Sequence, residues 1–282
     1  DLGFFIGPRL NAAGRLDDIS LGVNCLLAKT FDEALPLAQK LHALNNERKD
    51  LEELMKNEAL KQLENLDFNA TSLPFAVTLY NDSWHQGVIG ILASRIRQRI
   101  HRPIMIFADA GNKTLKGSGR SIPGLHLRDV LERVAAQHPK VVGKFGGHAM
   151  AVGMTLSANK LEPFREAFEK EVSDSLNNVP PELSLDSDGP VSAKDLNLEM
   201  AERLAREGPW GQEFPEPRFD DVFKVCSHRI LGDQHLKLLL ETDGIKVDAI
   251  AFNIDIETWL ECPLLTLGAL YRVSINDYRS ES

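Results

Sequence analysis

Between Thr30 and about Leu66 apolar residues return every three or four positions, at Leu37, Leu41, Leu44, Leu51 and Met55, with Arg48 interrupting. That period marks one face of an α-helix. Thr30 and Glu33 have the spacing of a capping box at its start. Pro36 should bend the first turns, because it has no N–H to give the helix. About 28 residues of helix would be roughly 42 Å long, a strut able to join two domains across a cleft. A dimerising coiled coil is the alternative, disfavoured by fewer than four clean heptads. Residues 1–29 also read as helical and are rich in small side chains.

From residue 71 the pattern changes to short apolar runs alternating with helical ones. Phe75–Tyr80 predicts a strand, Gly87–Ile100 a helix and Ile104–Ala108 a second strand, a βαβ unit expected to be parallel and right-handed. A strand at Leu115–Ser121, a helix at His126–Gln137, a strand near Val152–Leu156 and a helix at Leu161–Leu176 follow. The expected fold is α/β with a mainly parallel sheet. Asn177–Pro181 is a polar boundary. Beyond it Ala193–Arg206 predicts a helix, with Ser192 as N-cap and Asp195 at its third position. A turn-rich run Gly208–Pro217 comes next. Phe219–Leu231, His235–Glu241, Val247–Ile254 and Leu264–Ile275 then predict a small barrel of the OB type, its last strand missing. The expected regions are 1–70 with the long connecting helix, 71–178 as an α/β domain and 179–282 as an OB-like β-barrel.

Charge sharpens this division. Net charge is −9. Residues 1–70 carry 8 Lys+Arg against 12 Asp+Glu, residues 71–178 carry 14 against 9, and residues 179–282 carry 10 against 20. A basic middle at +5 lies between acidic ends at −4 and −10, a local footprint for phosphate. A hydrophobic share of 43% is that of a globular protein. No apolar stretch is long enough to span a bilayer and no signal segment opens the chain, so no membrane partner is expected. Cys25, Cys226 and Cys262 lack metal-ligand spacing and read as small buried residues or inert thiols of a reducing, cytoplasmic compartment. The first residue is Asp1 rather than Met, so the chain is expected to be a fragment or a processed product.

Three glycine-bordered runs carry candidate chemistry, and all lie in the basic region. In Phe145–Gly153 two glycines let a backbone approach a ligand and His148 offers a donor or a proton. Gly146-Gly147-His148 alone is better read as a tight turn with an incidental histidine, and only its agreement with the other runs favours a binding role. Trp84-His85-Gln86-Gly87 leads into a helix whose free N–H groups favour an anion, with His85 and Gln86 beside it; a plain helix cap is the alternative. In Lys116–Ser121, Ser118 and Arg120 share one strand face and supply a hydroxyl and a planar fork of donors. The flanking Gly117 and Gly119 would allow close approach, and a glycine-rich hairpin is the alternative. On the first helix Asn11 and Arg15 share a face, four residues apart. His42, His101, His126, His138, His228 and His235 have no carboxylate companions at ligand spacing, and no catalytic metal cluster is expected.

Together Gly7–Leu16, Trp84–Gly90, Gly117–Ser121, Gly146–Gly153 and Gly208–Pro217 resemble the RecJ family of bacterial single-strand-specific DNA exonucleases, within the DHH phosphoesterase superfamily. The resembling runs keep the family's order across nearly the whole chain; Val152 stands where the family has alanine. The resemblance implies a two-lobed nuclease core with an OB-fold appended, acting 5′-to-3′ in DNA repair and recombination. An N-terminal DHH lobe would hold two ions, Mn or Mg, on aspartates and histidines. No Asp-His-His sequence is present here, so this chain is expected to begin near the end of that lobe, to bind no metal and to be inactive alone. By the same resemblance Arg9, Asn11 and Arg15 would face the DNA track, Ser118 and Arg120 would clamp the 5′ phosphate, and His148 with the Gly146 and Gly147 amides would reach the scissile phosphate. His85 and Gln86 would line the same cleft. The acidic OB-like region, with few aromatics, fits a strong single-strand platform poorly. Phe223, Phe252, Trp259 and Tyr271 suit core and binding surface equally. Weak guidance of DNA, or recruitment of a DNA-repair protein, is expected there. The alternatives are a small-nucleotide phosphodiesterase of the same superfamily and a non-catalytic nucleic-acid-binding module.

Overall fold

After a π-helical segment at Leu2–Ile6 come three α-helices: α1 (Gly7–Leu16), α2 (Ser20–Leu27) and α3 (Phe31–Glu64). The structure, a computed structural model, describes residues 2–64, 74–211, 213–232, 234–261 and 263–276. Leu66, where the periodicity ends the long helix, and the expected boundary at residues 70 and 71 lie outside the described residues. The 34 residues of α3 span about 51 Å. Leu41, Met55, Ala59 and Leu63 are its buried apolar stripe. Arg48 interrupts the stripe because it is paired: it lies 2.5 Å from Glu52, which also takes Arg95 Nε at 3.1 Å. Arg95 belongs to α4 (Ile89–Ile100), so the polar interruption ties the two helices together. The capping box is shifted by one residue. Glu33 N–H donates to Thr30 Oγ1 at 3.3 Å, while the Glu33 carboxylate accepts from Lys29 N–H at 3.0 Å.

The chain divides into two compact units, Asp1–Leu183 and Ser184–Ser282. The sheet of the first has the order β1 (Val77–Asn81), β2 (Ile104–Asp109), β3 (Thr114–Arg120), β5 (Ala151–Ser157), β4 (Phe145–Gly147). The α/β class is as expected, but the sheet is mainly antiparallel, not mainly parallel. Only β1 and β2 run parallel, around α4. β2 and β3 are joined by residues 110–113, where Gly111, Asn112 and Lys113 have positive φ; so short a turn reverses the chain and leaves no room for a crossover. Strand β4, three residues long, lies inside the glycine-rich run and carries too little apolar sequence to be read as a strand.

The sheet is covered on both faces at β2 and on one face at β5. Ile104, Ile106 and Ala108 face α4 and the end of α3, with Leu92, Ile96, Met55 and Leu63. Met105, Phe107, Val152 and Met154 face α5 (Leu127–Gln137) and α6 (Leu161–Ser175), against Leu131, Phe164 and Phe168. Alternation along β2 fills both cores, as a doubly buried strand must.

In the second unit the sheet order is β8 (Ile245–Phe252), β7 (His235–Thr242), β6 (Phe219–Leu231), β9 (Thr266–Tyr271), all antiparallel. The first half of β6 pairs with β9 and the second with β7, and the ladder to β7 shifts register between Val225 and Ser227. Phe223, Leu236, Leu238 and Leu240 form the buried core, with Trp259 and Tyr271 packed against it, while Phe252 is exposed. The helix expected at Ala193–Arg206 is broken. Ala193–Asp195 is a single 3-10 turn, and α7 (Leu198–Glu207) starts after Asn197. The N-cap is Asn197, not Ser192, because its Oδ1 accepts from Met200 N–H at 3.1 Å. A short helix α8 (Ile256–Glu261) was not legible as one. Cys226 is exposed and Cys25 partly buried; Cys262 and residues 277–282 lie outside the described residues.

Candidate functional site

Side chains alternate along β3. Leu115, Gly117 and Gly119 point to one face, Lys116, Ser118 and Arg120 to the other. Gly117 and Gly119 do not open toward a ligand as expected. A Cβ at Gly117 would overlap the Phe107 ring, and one at Gly119 would overlap the Met105 sulfur. Those glycines let large core side chains lie flat against the strand.

Openness on the outer face comes from the neighbouring strands. Ser118 pairs with Gly153 of β5, and Gly153 pairs with Gly146 of β4. A Cβ at Gly146 would meet nothing within 4 Å, and one at Gly153 would touch only the Gly117 carbonyl at 4.0 Å. A strip of bare backbone therefore runs sideways from Ser118. In the next row Arg120 pairs with Ala151, and His148 N–H donates to the Ala151 carbonyl at 2.9 Å. Arg120 and His148 are thus at two ends of one row, two strand spacings or about 10 Å apart along the backbone. Next to His148 in the chain, Gly147 has φ +143°, and a Cβ there would overlap the Ala151 carbonyl. Only glycine suits this position.

Arg120 is half-buried and held by neutral oxygens. Its Nε donates to Ser94 Oγ at 3.0 Å, and its Nη1 to Ser118 Oγ at 3.2 Å and to the Gly119 carbonyl at 2.8 Å. No carboxylate pairs with it among the described residues. Burial, then repulsion from Arg15 and Arg97, pushes its guanidinium below the ordinary arginine value, though an arginine remains charged at any accessible pH. A desolvated cation among other cations is an environment that an anion would relieve.

The His85 loop is linked to this group through Arg15, which bonds the loop and repels Arg120. Buried Trp84 anchors the loop by donating from Nε1 to Glu58 of α3 at 2.8 Å. His85 Nδ1 accepts from Gly87 N–H at 3.1 Å, and the His85 carbonyl accepts from Val88 and Ile89 N–H. The helix N-terminus was expected to leave such amides free for an anion; His85 takes three of them. With Nδ1 accepting, Nε2 is the donor of the neutral ring. Arg15 Nη1 donates to the Gly87 carbonyl at 3.3 Å, and a Cβ at Gly87 would overlap the Arg15 carbonyl. The end of α1 therefore closes directly on the loop. Gln86 and Asn11 are exposed. Arg9 turns away onto α3, donating to His42 Nδ1 at 3.2 Å and to the Phe5 carbonyl at 2.5 Å.

Gly90, Ser94 and Arg97 of α4 were missed in the sequence. Their i, i+4, i+7 spacing puts them on one helical face, a signal hidden because the apolar stripe of α4 dominates the pattern. Among the described residues no three His, Cys, Asp or Glu side chains cluster as a metal site, and no helix is long and apolar enough to cross a membrane.

The parallel β1–α4–β2 unit, the glycine-floored outer face and the separate antiparallel sheet define a protein carrying a DHHA1 domain and an OB domain. The DHHA1 domain model matches residues 73–174, and the RecJ OB domain model matches residues 187–282. Across both domains the chain is similar to RecJ proteins. The single-stranded-DNA-specific exonuclease RecJ of Salmonella typhimurium is 48% identical over 281 residues, which are 99% of this chain and 49% of that protein. The corresponding protein of Thermus thermophilus is 30% identical over 251 residues, 88% of this chain and 34% of its own length. The crystal structure of Thermus thermophilus RecJ in complex with Mg2+ matches 99% of this chain and 41% of its own at a TM-score of 0.76, with 28% identity. Its complex with Mn2+ matches with the same TM-score. The chain spans about half the length of the Salmonella typhimurium protein and about a third of the Thermus thermophilus one.

Proposed function

We propose that this chain is the C-terminal part of a single-stranded-DNA-specific 5′-to-3′ exonuclease of DNA repair and recombination, and that it holds the end of the strand being degraded. The observation that carries the proposal is the half-buried Arg120, bonded only to neutral oxygens and bordered by Ser118 and a bare glycine strip. Such a fork matches a terminal phosphate. In this reading Ser118 and Arg120 grip the 5′ phosphate, and Arg15, His85 and Gln86 line the approach. His148 and the Gly146 and Gly147 amides stabilise charge on the phosphate being cut. Arg9 and Asn11 belong to the strand's track along α1. Residues 1–70 are the end of the DHH lobe with its connecting helix, 71–178 the DHH-associated domain and 179–282 the OB-fold domain. The protein is cytoplasmic, and the acidic OB region recruits a repair protein or guides DNA weakly.

Relatives of this family are known in complex with Mg2+ and Mn2+. The described residues of this chain offer no donor set for such an ion. In the proposal the N-terminal lobe of the full-length polypeptide binds it, and the 282-residue chain alone shows no Mn2+-dependent cleavage.

The test is binding of a single-stranded oligonucleotide with and without a 5′ phosphate, at several salt concentrations. The phosphorylated strand should bind more tightly. Arg120→Ala should lower its affinity about tenfold or more while sparing the hydroxyl-ended strand, since a hydrogen bond to a charged group contributes ~1.5–3 kcal/mol. Equal affinity of wild type for the two strands would refute the clamp.

A further inference from the structure

We propose that Ser94 of α4 is a positioning residue for the phosphate site: its hydroxyl fixes the plane of the Arg120 guanidinium so that the unused edge of that group faces the ligand. The inference rests on the phosphate-gripping role proposed above for Arg120 and Ser118.

Hydrogen-bond polarity supports it. Ser94 Oγ lies 3.1 Å from the Gly90 carbonyl, one helical turn back, and 3.0 Å from Arg120 Nε. A carbonyl can only accept, so the single Ser94 proton goes to Gly90. The lone pairs of Ser94 are then left for Arg120, which can only donate. The hydroxyl is thereby locked in both directions. Helical serines often bond back to the i−4 carbonyl for local reasons; here the same oxygen also receives a side chain 26 residues away, on another element.

The remaining donors follow from the count. Arginine has five N–H groups. Arg120 spends Nε on Ser94 and both protons of Nη1 on Ser118 Oγ and the Gly119 carbonyl. Nη2 keeps two protons with no acceptor among the described residues. Ser118, having accepted from Nη1, keeps its own proton to donate. Three donors therefore remain on two side chains, both beside Gly90, a set suited to the oxygens of a phosphate monoester. Gly90 makes the room: a Cβ there would stand 3.2 Å from both Arg120 Nη2 and Ser118 Oγ. Without Ser94 the guanidinium could rotate about its long stem, and its half-buried Nε would lose its acceptor.

The experiment measures the affinity ratio of the 282-residue chain for 5′-phosphorylated over 5′-hydroxyl single strands, in wild type and in Ser94→Ala, Ser94→Thr and Arg120→Ala variants. Ser94→Ala should cut the ratio roughly fivefold or more, with the loss falling on the phosphorylated strand. Ser94→Thr retains the hydroxyl and its bond to the i−4 carbonyl, and should restore most of the ratio. A purely structural serine would lower both affinities together and leave the ratio unmoved, which overturns the proposal. If Arg120→Ala collapses the ratio while Ser94→Ala preserves it, Ser94 has no positioning role although the clamp stands. If neither variant changes it, the clamp and this inference fail together.

Discussion

In the α/β unit Arg120 is bonded to the neutral oxygens of Ser94, Ser118 and Gly119, with Arg15 and Arg97 close enough to repel it. In the C-terminal unit Arg206, Lys237 and Arg272 each lie within 3 Å of a carboxylate, from Glu202, Asp248 and Glu216 respectively. An acid beside a cation satisfies it and ends its availability, whereas neutral acceptors orient a guanidinium without cancelling its charge. The cores differ in the same sense. The first sheet packs two large cores, one on each side of β2, while among the described residues the buried cluster of the second is Phe223, Leu236, Leu238 and Leu240. Arg120, kept free of acids, sits on the larger core; Arg206, Lys237 and Arg272 of the acidic unit are each neutralised beside a smaller one.

The largest effect that would sharpen this contrast is on the scaffold. Phe164 is fully buried, edge-on to Phe107 and stacked on Phe168. Phe164→Ala should destabilise the first unit by about 3–5 kcal/mol, measured by denaturant melts of the chain. A loss below about 1 kcal/mol would show a looser scaffold than the packing implies. Next, Gly147→Ala should cost roughly 1–3 kcal/mol through backbone strain and should weaken binding of a phosphorylated strand, because the hairpin carrying His148 must shift. Unchanged stability and binding would mean the hairpin has no bearing on the site. Smaller still, Arg97→Gln should lower the slope of log affinity against log salt by about 0.7, the value for one phosphate contact on a single strand. Lys237→Gln, whose native partner is Asp248, should leave the slope alone. Equal changes in the two variants would erase the comparison.

The smallest expected effect is on pH dependence. Burial, then repulsion from Arg97 and Arg102, lowers the pKa of His101. The unfolded chain therefore takes up the proton first as pH falls, so this contribution is intact above the ordinary histidine range and declines on acidification through it. His101 has φ +48°, a conformation asparagine tolerates. His101→Asn should flatten stability between about pH 7 and 5, measured by melts across that range. A steeper pH dependence in the variant would contradict the assignment.

Much of this molecule is legible in its sequence. The period of α3 and the strand of Ser118 and Arg120 follow from spacing alone, because periodicity and alternation are local properties. Strand direction is not local: the mainly antiparallel sheet is decided by the turn at Gly111, Asn112 and Lys113, whose polar sequence says little about the partner it selects. The roles of Gly117 and Gly119 are not legible in the sequence, because nothing local separates a glycine that admits a ligand from one that admits Phe107 or Met105. Ser94 escaped notice because its meaning lies in Arg120, a residue of a different element. Asn197 caps α7 in place of Ser192 because an intervening 3-10 turn consumes the residues that would otherwise have begun the helix.

The glycine strip beside Ser118 has one more consequence. Sequence-selective proteins recognise bases by aiming hydrogen-bonding side chains at base edges. At Gly146 and Gly153 the floor has no side chain to aim. On the proposed reading, a terminal nucleotide would be judged there by its phosphate and not by its letter, so an enzyme that must consume any strand could owe its indifference to two missing methyl groups.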